Sequence, residues 1–583
     1  MNPKLLYLLS VMLLSLSLGS CDLDRFPKDS MTPMSYFSTE SELALYTNQF
    51  YDINQTAPDM YGELADYIEK TSLPDEIVGT RVVPDEDSQW SWTALRHINY
   101  FLEYSGRCPD KEALNHYQGV AYFYRALFYF DKVKRFGDVP WYDTPLGSAD
   151  EELYKARDNR KTVMANVLID IDKAINLLPE THKLYEVTKW TALALKSRIC
   201  LFEGTYRRYH ELGDWQEMLE ECAKAGTEFI DNSKYKLYTS GKEPYRDLFA
   251  SADANADEII MARRYNGALG IKHNANSYSL SATQGRPGFN KRFVNHYLMA
   301  DGSRFTDQPD YKTMTYADET KNRDPRMTQT ILCPGYIQKG NTTSTTLSLS
   351  TTVTGYRYIK YVMESVYDVF NASICDMPLY RTAEVYLNYA EAKAELGTLT
   401  QADLDKSVNK LRDRVNMPHM DLVTMNTNPD PYLSASITGY PNVTQSAMTG
   451  SILEIRRERT IELCMEGFRY YDIMRWKEGQ SFTYPYLGLY FPGEGKYDMN
   501  GDGKPDLVLY KTTKPIVFGA TYLQIGKDIT LSNGDSGNIL VHGTMTRTFQ
   551  ENRDYLYPIP IKERVLTNGM LIQNPNWNDG LLY

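Results

Sequence analysis

The sequence predicts a predominantly α fold: a superhelix of helix pairs with long loops and small β-hairpin insertions. Three observations carry this. Apolar residues recur at helical spacing in both the first and the last third of the chain. These stretches come in pairs, each closed by Gly or Pro. The chain has 583 residues, whereas single hydrophobic cores stop growing near ~250–300 residues, so an elongated array or several lobes is expected.

The N-terminal half supplies two pairs. Tyr117, Val120, Ala121, Tyr124, Leu127 and Phe128 mark one helical face, which stops before Phe136-Gly137-Asp138-Val139-Pro140. A second helix runs from about Lys161 to Leu178. A third runs from about Val187 to Phe202 and ends at Gly204. A fourth follows Asp214, a candidate N-cap, and reaches about Ile230. Residues 231–375 are less regular, rich in Tyr, Gly and Asn. Within them, 341–354 reads as a short exposed strand or hairpin, or equally as a mobile surface loop. Helices return at 379–397, with Gly397 as the stop, and at 401–414. This unit is similar to a tetratricopeptide helix–turn–helix, and the two N-terminal pairs share its plan. A further helical stretch covers 451–477, followed by loops and strands.

Composition bounds the function. There are 63 Lys+Arg against 75 Asp+Glu, with 42 % hydrophobic and 24 % charged residues, which excludes broad disorder. An acidic chain without a basic block is a poor partner for nucleic acid. The 46 tyrosines supply flat apolar surface with a polar tip, and most fall on helix-packing faces.

The first twenty residues read as an address. Lys4 precedes the apolar run Leu5 to Leu18, too short to span a bilayer. Leu18-Gly19-Ser20-Cys21 resembles a bacterial lipobox, which implies that Cys21 becomes a lipidated first residue. The alternative is an ordinary secretory signal with a chance Cys. Removing residues 1–20 removes only Lys4 among the charges, so the net charge becomes 62 − 75 = −13. The remaining cysteines, Cys108, Cys200, Cys222, Cys333, Cys375 and Cys464, show no CxxC spacing, which argues against a zinc site.

Three segments carry a family resemblance: GVAYFYRALFYFDKVKRFGDVP at 119–140, ILEIRRERTIELCMEGFRYYDIMRW at 452–476, and YLYPIPIKERVLTNGMLIQNPNW at 555–577. With the lipobox, the LDRFP after it and LYRTAEVYLNYAEA, they resemble the SusD/RagB family over essentially all of residues 21–583. On that reading 21–230 holds the N-terminal repeats, 231–378 an irregular ligand-binding insert, and 379–583 a C-terminal helical and loop region. The resemblance implies four tetratricopeptide-like pairs and a surface lipoprotein of the outer membrane. It further implies capture of oligosaccharide and delivery to a SusC-like TonB-dependent transporter. Some members of the family take peptides instead. In the charged helix, Arg456-Arg457-Glu458-Arg459 reads as solvated and salt-bridged, and Glu466-Gly467-Phe468-Arg469 as a tight packing contact.

Asp498, Asn500, Asp502, Lys504 and Asp506 space oxygen donors as in an EF-hand-type calcium loop, Lys504 through its carbonyl. Leu509 stands where that pattern has Glu, so a metal-free Asx/Gly turn is the alternative. Sugar binding needs aromatic faces and hydrogen-bonding side chains on loops. Leu73-Pro74-Asp75-Glu76 matches the segment that precedes a ligand loop in the family. Thr80-Arg81 stands where the starch-binding relative has a tryptophan, which weakens a starch assignment. Tyr278 and Phe289 fall near that relative's stacking aromatics, and Trp90 and Trp92 lie close to the first loop. Tyr278, Trp90, Trp92, Phe289 and Arg81 are therefore the candidate ligand residues, with core or loop packing as the alternative for each. Catalytic signals are poor: the eight histidines are scattered, and Gly534-Asp535-Ser536-Gly537 reads as a polar turn. The expectation is a non-enzymatic glycan-binding lipoprotein. The alternatives are a peptide- or glycopeptide-binding member and a scaffold serving only the transporter.

Overall fold

A computed structural model describes residues 36–582. Cys21, the lipobox and LDRFP lie outside the described residues.

The helix Lys111–Phe136 opens at Asp110, whose carboxylate accepts the amides of Glu112 and Ala113 at 3.0 and 3.1 Å. It closes at Gly137, whose φ of +75° suits glycine. Its apolar side packs on Arg160–Leu177. Lys189–Tyr209 begins with a Thr188/Thr191 capping box and packs on Gln216–Asn232.

Two details differ from the sequence reading. The third helix runs through Gly204 to Tyr209, because that glycine serves a helix crossing and not a stop. A Cβ there would meet the Leu219 side chain at 2.7 Å. Asp214 is not the N-cap. It has φ +50° and pairs with Lys161 at 2.6 Å, and Trp215 takes the capping position.

The C-terminal array is more broken than its periodicity suggests. Residues Met377–Arg381 form a strand, paired antiparallel with Ile259–Arg263, before the helix Thr382–Glu395. That helix packs on Gln216–Asn232, where a Cβ on Gly226 would lie 2.9 Å from the Tyr389 Cβ. The partner helix is split into Gln401–Asp405 and Val408–Arg414. The 451–477 stretch is likewise two helices, Thr449–Glu462 and Arg469–Arg475, separated by the left-handed residues Met465 and Gly467.

Strands are short. Ile68–Glu69 pairs with Gly288–Phe289, and Tyr486–Phe491 with Gly537–Val541. Gly495–Tyr497 and Leu507–Tyr510 form a hairpin extended in parallel by Thr521–Gln524. The 341–354 segment holds no strand, yet it is anchored: Leu347 and Leu349 are buried. The main apolar cluster draws on residues from Phe37 to Leu571, and a second one packs the helices Thr382–Glu395, Val408–Arg414 and Thr449–Glu462 together. Cys108, Cys200, Cys222, Cys333, Cys375 and Cys464 are buried and unpaired.

The helix Thr449–Glu462 overturns the expectation of solvated charges. Arg456, Arg457, Glu458 and Arg459 are all buried. Arg456, Arg457 and Arg459 pair with Glu395, Asp430 and Asp472, while Glu458 joins, through Arg326 and Glu462, an internal ionic network that ties the helical layers to the irregular zone. Arg381 donates to Glu258 at 3.0 Å, to Glu462 at 2.8 Å and to Glu466 at 2.6 Å. Arg414 pairs with Glu258 and Glu462, and Lys360 with Glu466 at 2.6 Å. Burial pushes the Glu462 carboxyl upward, but the guanidiniums of Arg414, Arg381 and Arg326 outweigh it and hold it well below the usual carboxylate range.

Candidate functional site

Residues 88–92 run from a short 3₁₀ turn, Ser88–Trp90, to the start of the helix Thr93–Tyr104. The Asp87 carboxylate accepts the Gln89 amide at 2.9 Å. The buried Lys132 ammonium donates to the carbonyls of Gln89 and Ser91, the latter at 2.8 Å. This fixes the indoles on either side. Trp90 is buried edge-on against Phe136, ring centroids 4.8 Å apart. Trp92 stays half-buried, edge-on to Trp90 at 5.5 Å and to Tyr142 at 5.6 Å.

The two tryptophans line a cavity of about 670 Å³ together with Tyr46, Tyr100, Tyr142 and Tyr154. That volume lies within the range of small-molecule sites, roughly 300–1,000 Å³. Tyr46 and Tyr100 stack with centroids 6.2 Å apart. Asn99 donates its amide to the carbonyls of Tyr142 at 3.0 Å and Thr144 at 3.2 Å, locking the opposite wall to the helix. Leu566 and Thr567 close the cavity from the C-terminal segment. Burial raises the phenols of Tyr46 and Tyr142 to about 12, so both are neutral hydrogen-bonding groups at neutral pH. Flat apolar walls carrying hydroxyl tips suit the alternating C–H faces and hydroxyls of a sugar. A larger cavity of about 1130 Å³ has instead a charged rim that includes Glu40, Asp110, Glu112, Lys183 and Glu186.

The remaining candidates fall elsewhere. Tyr278 is half-buried on the short helix Ala275–Leu280, against Tyr61 at 5.0 Å and Tyr358 at 6.0 Å. The Lys70 ammonium lies 5.6 Å from its ring centre. Phe289 sits in the core, 1 % exposed and stacked on Phe293 at 4.3 Å, and presents no face to a ligand. Arg81 is buried too. It donates to the Asp554 carbonyl at 2.6 Å and lies over the ring of Tyr557 at 4.6 Å, so it clamps the C-terminal segment. Glu76 of the LPDE segment likewise accepts the Tyr557 hydroxyl at 2.9 Å. The sequence reading missed Tyr46, Tyr100, Tyr142 and Tyr154, which only the fold brings together.

The 498–506 loop is the turn of the Gly495–Tyr497/Leu507–Tyr510 hairpin. Both Asp498 oxygens accept backbone amides, from Gly501 and Gly503 at 2.7 Å. Asn500 accepts from Asp502, Asp502 from Lys504, and Asp506 from Met499. Among the described residues, no three His, Cys, Asp or Glu side chains gather as a metal set. The engaged oxygens keep lone pairs, and the turn is complete as a network of Asx bonds.

Among the described residues, no helix is long and apolar enough to cross a membrane. Comparison with known proteins places this architecture. The profile of the SusD family matches residues 257–577, and a profile described as starch-binding associating with outer membrane matches 23–201. A SusD-like protein of Formosa agariphila is 24 % identical over 81 % of this chain and 91 % of its own. Another from the same organism is 24 % identical over 98 % and 99 %. Among solved structures, a SusD-like protein of Bacteroides fragilis superposes with a TM-score of 0.68 at 22 % identity. That match covers 93 % of this chain and 98 % of the other. A SusD-like carbohydrate binding protein of the same species gives 0.67 at 20 % identity, covering 91 % and 98 %. The chain belongs to the SusD/RagB family.

Proposed function

We propose that this protein is a non-enzymatic surface lipoprotein, attached to the outer membrane through Cys21. In this reading it binds oligosaccharide and hands it to a SusC-like TonB-dependent transporter. The family match supports carbohydrate binding at the outer membrane. The observation that carries the site assignment is the cavity walled by Trp90, Trp92, Tyr46, Tyr100, Tyr142 and Tyr154. Its walls are aromatic, its polar groups are few, and its two sides are fixed by Lys132 and Asn99, so little ordering remains to oppose binding. For the 498–506 loop we propose calcium as a structural ligand.

The test is affinity electrophoresis and calorimetry against a panel of polysaccharides and peptides, on the wild type, Trp92→Ala and Tyr278→Ala. Glycan binding lost in Trp92→Ala and kept in Tyr278→Ala supports the cavity. The converse moves the site to the Tyr278 surface. Binding to peptides alone gives the peptide-binding reading, and binding to neither leaves a scaffold for the transporter. Product release from a glycan by the protein alone would show catalysis.

A further inference from the structure

We infer that the Trp90/Trp92 cavity selects an acidic oligosaccharide, with the carboxylate of one uronic acid residue held by Arg96. The inference rests on the cavity being the glycan site. Arg96 and Glu563 are the two side chains of fixed charge type that line it. Arg96 lies on the helix Thr93–Tyr104, one turn before Tyr100 and one after Thr93, so the three share a face. Its guanidinium is exposed, and among the described residues it has no hydrogen bond or ion pair. Most other arginines of this molecule are committed to carboxylates, as Arg125 is to Asp170 at 2.7 Å beside the same helix.

The neighbouring polar groups are already occupied. Asn99 is spent on the carbonyls of Tyr142 and Thr144, and His97 on the Tyr46 hydroxyl at 3.4 Å. An unpaired fork at the edge of aromatic walls matches a carboxylate in a charge-assisted, bidentate geometry. Glu563 lies on the short helix Ile561–Leu566 that contributes to the cavity. A carboxylate there disfavours a ligand charged along its whole length. The chemistry fits a chain that carries a single acidic sugar among neutral ones.

The experiment uses pairs of tetrasaccharides identical except that the uronic carboxyl is reduced to the alcohol, built on glucuronate, galacturonate and mannuronate. Kd is measured by calorimetry at low and high salt on the wild type, Arg96→Gln and Trp92→Ala. In at least one pair the wild type should prefer the acidic member by roughly 10-fold or more, as expected for one hydrogen-bonded charge. Arg96→Gln should erase that preference, bringing the affinity for the acidic member down to that for the reduced one. Trp92→Ala should weaken both members alike. Equal binding of acidic and reduced members by the wild type overturns the inference and leaves the cavity as a neutral-glycan site. A preference that survives in Arg96→Gln overturns it too. If Trp92→Ala binds as the wild type does, the cavity reading itself has failed.

Discussion

The Lys132 ammonium donates to the Ser91 carbonyl at 2.8 Å from beneath the turn that carries both cavity tryptophans. It also lies 5.3 Å from the Trp92 ring centre and 4.8 Å from that of Phe128. Among the described residues it forms no salt bridge. A buried cation satisfied by carbonyls and aromatic faces holds one backbone geometry, here that of residues 89–92.

Lys132→Met should therefore leave two inward-facing carbonyls without a donor, at a cost of about 1–3 kcal/mol each. The melting temperature falls, and tryptophan emission shifts to longer wavelength as Trp92 loosens. A lowered melting temperature with unchanged emission would show that the lysine supports the core but not the site.

The same lysine sets a pH dependence. Burial pushes its pKa down from 10.5 to about 7, against the smaller upward pull of Asp131 and Asp87. Between those values the unfolded chain binds the proton and the folded chain does not, so stability rises with pH through this window. The penalty for burying the charge is fully present below about 7. Urea unfolding from pH 6 to 10 should show a rising increment in the wild type that is missing in Lys132→Met. Parallel profiles for the two proteins would rule this out.

Arg381→Met should destabilise the protein by about 3–5 kcal/mol, because the buried carboxylates of Glu258, Glu462 and Glu466 lose the cation they share and, among the described residues, keep only Arg414, Arg326 and Lys360 as cationic partners. The expected result is a large drop in the urea midpoint. A midpoint within error of the wild type would mean that the network contributes little net stability.

Calcium should bind the 498–506 hairpin turn with a Kd of roughly 10⁻⁴–10⁻³ M, the range of extracellular modules. Chelator-treated protein then gives heat on titration and a higher melting temperature, both lost in Asp498→Ala. No heat would leave the turn held by its Asx bonds alone. In that case Asp498→Ala should lower stability equally with and without calcium, since three amides lose their acceptor.

Helix existence was readable because periodicity reports burial, as at Val120, Ala121 and Tyr124, all fully buried. Ends were less readable. Gly204 looks like a stop because nothing in one dimension shows Leu219 against it. The Thr449–Glu462 helix misled for a related reason: charged residues on a helix normally face water, and only distant partners such as Glu395, Asp430 and Asp472 make their burial tolerable. At the site, Trp90 and Trp92 stood out as rare large aromatics beside a loop. Tyr46, Tyr100, Tyr142 and Tyr154 did not, being four tyrosines among 46 from segments that meet only in space. Arg81 and Phe289 failed as ligand candidates because a residue aligned with a loop position can still turn inward.

The closing segment carries a consequence for how the array melts. Asn574 donates to the carbonyls of Phe136 and Tyr557, and accepts from Arg157, at 2.9, 2.7 and 2.7 Å. The Tyr557 amide pairs with the Arg135 carbonyl at 2.8 Å. Open solenoids fray from their tips and gain structure one neighbour at a time. Here the C-terminal segment is stitched onto the first long helix, so among the described residues it is not a free tip from which the array can unzip. Contacts between residues this far apart in sequence carry a large loop-closure cost, which slows acquisition of the native state.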